Sequence, residues 1–150
     1  QTCALPILIN VFGIKLFQIK CTKSFKYAQK GDLGGYVEKE GNLDQENDAW
    51  VSGNAQVSGD AWVSGNARVS GDANIKNNNE HCGFDGFGSC NRHTHAYLTK
   101  EKKVEITCGC FRGSIEEFEK KVEETHSGTI YEKQYKAIIN VIKIKFGLTD

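Results

Sequence analysis

Between Asn42 and Asn77 the apolar positions recur on a six-residue period. The clearest units are DAWVSG from Asp48, NAQVSG from Asn54, DAWVSG from Asp60, NARVSG from Asn66 and DANIKN from Asp72. Each opens on Asn or Asp, and glycines at 53, 59, 65 and 71 separate them, which is turn chemistry. Within each unit two apolar residues stand two apart: Ala49 and Val51, Ala55 and Val57, Ala61 and Val63, Ala67 and Val69, Ala73 and Ile75. That is strand alternation. Strands of about four residues that bend every six cannot bury such a face in a flat sheet, but they can by coiling. The outward third positions are Asp44, Trp50, Gln56, Trp62, Arg68 and Asn74. If 18 residues close a turn of the coil, Trp50 lies against Arg68 and Asp44 against Trp62.

The unit resembles the hexapeptide-repeat family over Asn42 to about Asn77. The resemblance implies a short left-handed parallel β-helix of about two coils, with Ala and Val inside. Repeat arrays usually need three or more repeats and capped ends, so both ends require cover. Residues 15–41, with alternating Leu16, Phe17, Ile19 and Cys21 and then GDLGGYVEKEGNL from Gly31, are expected to form N-terminal cap strands, and 42–79 the solenoid. Oligomerisation is expected, because an exposed last rung is an unpaired edge.

Downstream, 80–93 reads as a loop rich in Asn, Gly and Asp, and 94–150 as a ββαα module. THAYLT at 94–99 and VEITC at 104–108 alternate like a hairpin. Ser114 with Glu117 fits a capping box ahead of a helix bearing Ile115, Phe118 and Val122. A second helix, from about Thr129 to Phe146, repeats Tyr131, Tyr135, Ile138, Ile142 and Phe146 at helical spacing. Phe111, Phe118, Tyr135 and Ile139 are the expected core.

The chain lacks methionine, and back-translation of Ala4 to Ile7 as GCT CTT CCG ATC matches a sequencing adapter. Residues 1–14 are therefore expected to be an assembly scar with a flexible terminus. With 19 basic against 19 acidic residues, the 150-residue chain has no basic excess for general phosphate-backbone binding. No run approaches the ~20 apolar residues of a membrane span. The cysteines make no convincing disulfide framework, and a reducing cytoplasm is the expected setting.

The candidate chemistry is thin. Cys82, Cys90, Cys108 and Cys110, near His81, His93, His95 and His126, invite a zinc proposal, but neither Cys pair has knuckle spacing, so no metal or other cofactor is expected. A cysteine nucleophile paired with His126 or His93 lacks a nameable orienting group. Hexapeptide acyltransferases use a catalytic histidine, and the hexads contain none. GDLGG at 31–35 lacks the Lys-Ser/Thr of a phosphate loop.

The layout as a whole resembles a group of small proteins of phages and prophages of gut Firmicutes, labelled hexapeptide-repeat or polymer-forming. KGDLGGYVEKEGNL (30–43), the hexads, GSCNRHTHAY (88–97) and CGCFRGSIEEFEKKVEETHSG (108–128) carry it, over about Lys15 to Gly147. It implies a non-catalytic counter-defence protein in the cytoplasm of an infected host, one that sequesters a host immune signalling nucleotide. Trp50, Trp62 and Tyr97 would stack on the base, and Arg68, Arg92 and Arg112 would pair with phosphate. The alternatives are direct inhibition of a host defence protein such as a CRISPR nuclease, a structural phage role, and a hexapeptide acyltransferase.

Overall fold

A computed structural model describes residues 3–11 and 13–149. The strands begin with β1 (Cys3–Val11), β2 (Ile14–Cys21) and β3 (Leu33–Val37). After a short 3-10 turn, Glu40–Asn42, come four two-residue strands: β4 (Trp50–Val51), β5 (Gln56–Val57), β6 (Arg68–Val69) and β7 (Asn74–Ile75). Then follow β8 (His81–Phe87), β9 (Arg92–Leu98), β10 (Val104–Cys108) and β11 (Phe111–Ser114). Two helices close the chain, α1 (Ile115–His126) and α2 (Ile130–Lys145). Gln1 and Thr2 of the expected scar lie outside the described residues. From Cys3 the chain is strand, antiparallel to β2, where a flexible terminus was expected.

The expected left-handed parallel β-helix is corrected by this topology. The hexads do not build a closed or solenoid sheet. Their short strands are divided between a mixed five-stranded sheet, ordered β1-β2-β3-β5-β7, and a separate β4-β6 pair. In the mixed sheet β2 runs antiparallel to both its neighbours, β1 and β3, while β3, β5 and β7 pair in parallel. The physical reason lies in the corners. Gly53, Gly59, Gly65 and Gly71 all adopt positive φ, so only the third and fourth residues of a hexad are left to make a ladder.

The expected alternation does organise burial. Ala49, Val51, Ala55, Val57, Ala61, Val63, Ala67, Val69, Ala73 and Ile75 are all at most 1% exposed and form one core with Ile19, Cys21, Val37 and Leu43. Trp50 pairs with Arg68 in parallel, at the expected spacing of 18. Asp44 does not face Trp62, because Leu43 is the parallel partner of Val63 and the spacing there is 20. The same spacing of 20 holds upstream, where Val37 pairs with Val57, so the two extra residues lie between Leu43 and Trp50. Beside that bridge the Asn42 side chain is buried, donating to the carbonyls of Gly59 (3.1 Å) and Ala61 (2.8 Å) and accepting from the Lys39 N–H (2.9 Å).

The C-terminal half carries two strands more than the ββαα expectation, forming an antiparallel sheet ordered β11-β10-β9-β8. Half of the segment read as a loop at 80–93 is β8, and its last two residues open β9. The alternation of β8 is broken by Gly83 and Gly86 and by a register shift between Phe84 and Phe87, which hides the strand in the sequence. The 94–99 and 104–108 runs do pair, Leu98 with Val104 through Thr94 with Cys108. Ser114 and Glu117 form the expected reciprocal cap of α1, and Thr129 caps α2. Phe118, Tyr135 and Ile139 are buried with Ile106, and Phe111 packs at the edge of that core. No helix among the described residues is long and apolar enough to cross a membrane.

Candidate functional site

The six residues expected to bind a nucleotide do not form one site. Trp50 is buried, edge-on to Phe25 at 5.5 Å, and Tyr97 is fully buried beneath the hexads, so neither ring offers a stacking face. The cause is coverage: residues 25–27 fold over Trp50, and β9 lies across the hexad segment. Arg68, Tyr97 and Arg112 meet, but as a seam between the two halves. The Tyr97 hydroxyl donates to Glu105 Oε1 at 2.7 Å, and Arg112 Nε donates to the same oxygen at 2.6 Å. Arg68 Nη2 donates to the Phe111 carbonyl (3.2 Å) while the Arg68 carbonyl accepts from Thr107 (2.6 Å). Burial, with Glu105 alongside, pushes the Tyr97 phenol above its ordinary value, and Glu105 holds Arg112 charged. Trp62 is 54% exposed and stands apart from these groups.

Arg92 lies in a different place, at a cleft of about 260 Å³ between the sheet and the helices. Phe111 and Phe118 pack at 5.1 Å, Tyr135 meets Phe118 edge-on at 5.5 Å, and His126 stacks on Tyr135 at 5.5 Å. Lys121, Cys110 and Thr125 complete the lining with Cys108 and Val122. The guanidinium rests on Gly109, whose positive φ and missing side chain make room: a Cβ there would stand 2.7 Å from Nη1. Among the described residues no carboxylate forms an ion pair with Arg92. Burial, and then the neighbouring Cys108, raise the Tyr135 phenol, so it stays neutral and can donate. The cleft therefore offers an apolar lining in which Phe111 and His126 are only half-buried, a lysine, and a cation that has no carboxylate partner among the described residues.

The four cysteines weighed for zinc do not converge. Cys108 is buried, accepting from Thr94 Oγ1 at 3.3 Å, Cys110 and Cys90 are exposed, and Cys82 sits half-buried in β8 with its thiol pushed up by burial. Among the described residues no three His, Cys, Asp or Glu side chains are grouped to hold a metal.

The histidines, dismissed with the zinc proposal, are organised in another way. His93 and His95 alternate on one face of β9, and His81 of β8 stands beside them. His93 Nδ1 is 2.7 Å from Asp85 Oδ1, His93 Nε2 is 3.1 Å from His95 Nδ1, and His95 Nε2 is 3.0 Å from His81 Nδ1. His81 Nε2 ends the string 3.0 Å from Asn78 Oδ1. Gly83, opposite His95, makes the space, since a Cβ there would meet His93 at 2.7 Å and His95 at 2.8 Å. Burial lowers His81 to about 4, aided by Lys145, and holds His95 well below the ordinary imidazole range, aided by His81 and His93. The two-residue spacing of His93 and His95 opposite a glycine was the sequence signal, but it becomes readable only once β8 is a strand.

Compared with known proteins, the chain matches no family model and no curated protein.

Proposed function

We propose that this protein is a non-catalytic binding protein that captures a small planar anion, a signalling nucleotide first among them, in the cleft beneath Arg92. The single observation that carries the reading is a guanidinium that has no carboxylate partner among the described residues and lines an aromatic cleft. Arginine without a carboxylate partner is available for bidentate pairing with phosphate. Phe111, half-buried over Phe118 and Tyr135, supplies apolar cover for a base. At about 260 Å³ the cleft is at the small end of ligand sites, which run to about 300–1,000 Å³. It therefore suits one ring system, with the remainder of the ligand reaching toward Arg92 and Lys121. Stoichiometric capture of this kind is what a phage counter-defence role would require.

Thermal unfolding with a panel of cyclic dinucleotides and ADP-ribose tests the reading. Binding at a hundred times Kd stabilises by about 2.7 kcal/mol, or roughly 5–10 °C for a domain of this size. Arg92→Ala should abolish the shift without changing the unliganded midpoint, and heating should release the ligand unaltered. No shift with any member, or a shift that survives Arg92→Ala, would end the proposal. One observation favours the direct-inhibitor reading as second: α2 exposes Ile130, Val141 and Ile144 along its outer side. That reading requires co-elution with a host defence protein, lost on Ile144→Glu.

A further inference from the structure

The string of imidazoles between Asp85 and Asn78 fixes its own proton count. At one end the Asp85 carboxylate accepts hydrogen bonds. At the other Asn78 Oδ1 must also accept, because the amide is oriented by two further bonds: Oδ1 takes the Trp62 N–H at 2.9 Å, and Nδ2 donates to the Asp60 carbonyl at 3.1 Å. Four contacts join these two acceptors, at 2.7, 3.1, 3.0 and 3.0 Å. Each needs one hydrogen, and three neutral imidazoles carry only three.

We infer that the string holds one proton more than three neutral histidines, and that this proton count latches β8 and β9 to the hexad segment: the fourth hydrogen completes the latch and a fifth breaks it. The extra proton resides on His93, the ring that touches the carboxylate. His93 then donates from both nitrogens, and His95 and His81 are both Nε2–H tautomers, each passing its hydrogen toward Asn78. Every donor and acceptor in the string is thereby satisfied. On the rings, a fifth proton has to enter at Nδ1 of His95 or His81, where each ring already accepts. It would set N–H against N–H at 3.1 or 3.0 Å. It would also place a second positive charge in a stack whose ring centroids are 5.1 and 5.3 Å apart.

Among the described residues Asp85 is the one carboxylate hydrogen-bonded to the rings, Lys145 of α2 adds positive potential at His81, and Glu80, next in sequence, is engaged by Lys102 Nζ at 3.0 Å and the Lys76 N–H at 2.7 Å. Tyr97 and Cys82, the remaining titratable neighbours, are both held neutral by burial. Separation of β8 from β9 is the way out, and Asn78, with the Trp62 segment it holds, goes with β8.

Imidazole NMR of the ¹⁵N-labelled full chain at pH 7 should count four N–H hydrogens in the string, two on His93 and one on Nε2 of each of His95 and His81. His93→Gln, whose amide can donate to His95, should leave two, on the same nitrogens. Hydrogen exchange tests the acid limit: protection of β8 and β9 amides should fall at least tenfold between pH 7 and pH 4 while α2 keeps its own. His81→Gln, which still accepts from His95 and donates to Asn78, should move that opening down by about one pH unit, a tenfold change in proton concentration. Three N–H hydrogens at pH 7, an Nδ1–H tautomer at His81 or His95, unchanged protection at pH 4, or the same opening pH in His81→Gln would each overturn the inference.

Discussion

Replacing Asn42 by Asp exchanges one NH₂ for one oxygen and should cost more stability than most core truncations. The residue is fully buried, and its Nδ2 is the donor for two carbonyls, Gly59 at 3.1 Å and Ala61 at 2.8 Å, while Oδ1 accepts from Lys39. In Asn42→Asp the bond to Lys39 survives, but an oxygen faces both carbonyls. Each buried acceptor left unpaired costs about 1–3 kcal/mol, and an ionised carboxylate adds its own desolvation, so the loss at pH 7 should be at least ~3 kcal/mol. Protonation restores one O–H donor. The folded state therefore prefers the neutral acid, and its carboxyl pKa rises above the unfolded value of about 3.9. A group raised in this way contributes stability at low pH and loses it as pH rises, by about 1.4 kcal/mol per unit until the folded value is passed. Urea unfolding of Asn42→Asp and wild type at pH 4, 5.5 and 7 should show a gap that widens with pH. Asn42→Ala should lose about 3 kcal/mol at every pH. A gap below about 1 kcal/mol at pH 7, or one that does not change with pH, would refute the role given to the Nδ2 donor.

Two hexad glycines separate backbone strain from steric conflict: Gly65→Ala meets nothing within 4 Å and should cost only about 1 kcal/mol for its φ of +62°, whereas Gly59→Ala also drives its Cβ into the Lys76 carbonyl and should cost at least twice as much by denaturant unfolding. Trp50→Ala should destabilise by about 3–5 kcal/mol, as for a buried aromatic, and Trp62→Ala by less than about 0.5 kcal/mol; equal losses would contradict the burial of one and the exposure of the other. For the wild type, His81 falls from an ordinary 6.5 to about 4 on folding, so the folded state binds fewer protons there. Its contribution is complete above pH 6.5 and drains away toward pH 4, on the order of 3 kcal/mol in all. Urea midpoints that stay level across that interval would exclude it.

The parts of the fold legible in the sequence were those carried by local repetition. Alternation of Ala and Val named the core of the hexad segment residue by residue, and the Ser114–Glu117 pair marked the start of α1. The architecture was harder to read, because pairing partners are not local. Nothing in GDLGGYV signals that β3 turns from an antiparallel neighbour on one side to a parallel one on the other, and that change of sense is what makes the sheet mixed. Asn42 occupies the same repeat position as Asp60 and Asn66, yet it faces inward, since the 3-10 turn at Glu40–Asn42 rotates it off the outer surface. The binding residues suffered most. A period of six says which side chains point outward and is silent on which outward faces a later segment will cover.

That coverage explains why Trp50 and Arg68 of the hexads are committed to structure. A short repeat segment leaves its last strand with unpaired backbone groups. Here the C-terminal sheet meets that need from within the chain: Ala73 bridges Thr99, the Lys100 N–H donates to the Asp72 carbonyl at 2.9 Å, and Tyr97 enters the hexad core itself. Burying a phenol beside a carboxylate demands a cation, and Arg112 supplies it, reaching Glu105 from across Gly71, where a Cβ would strike its guanidinium. Arg68 is committed in the same seam. Of the six positions first read as binding a nucleotide, Trp50, Tyr97, Arg68 and Arg112 are committed to this packing, while Trp62 stays exposed and Arg92 lies elsewhere. The groups left with unused chemistry are those the seam does not touch, Arg92 over its aromatic cleft and the histidines behind Asp85, and both exist only because 80–93 folds as a strand and turn.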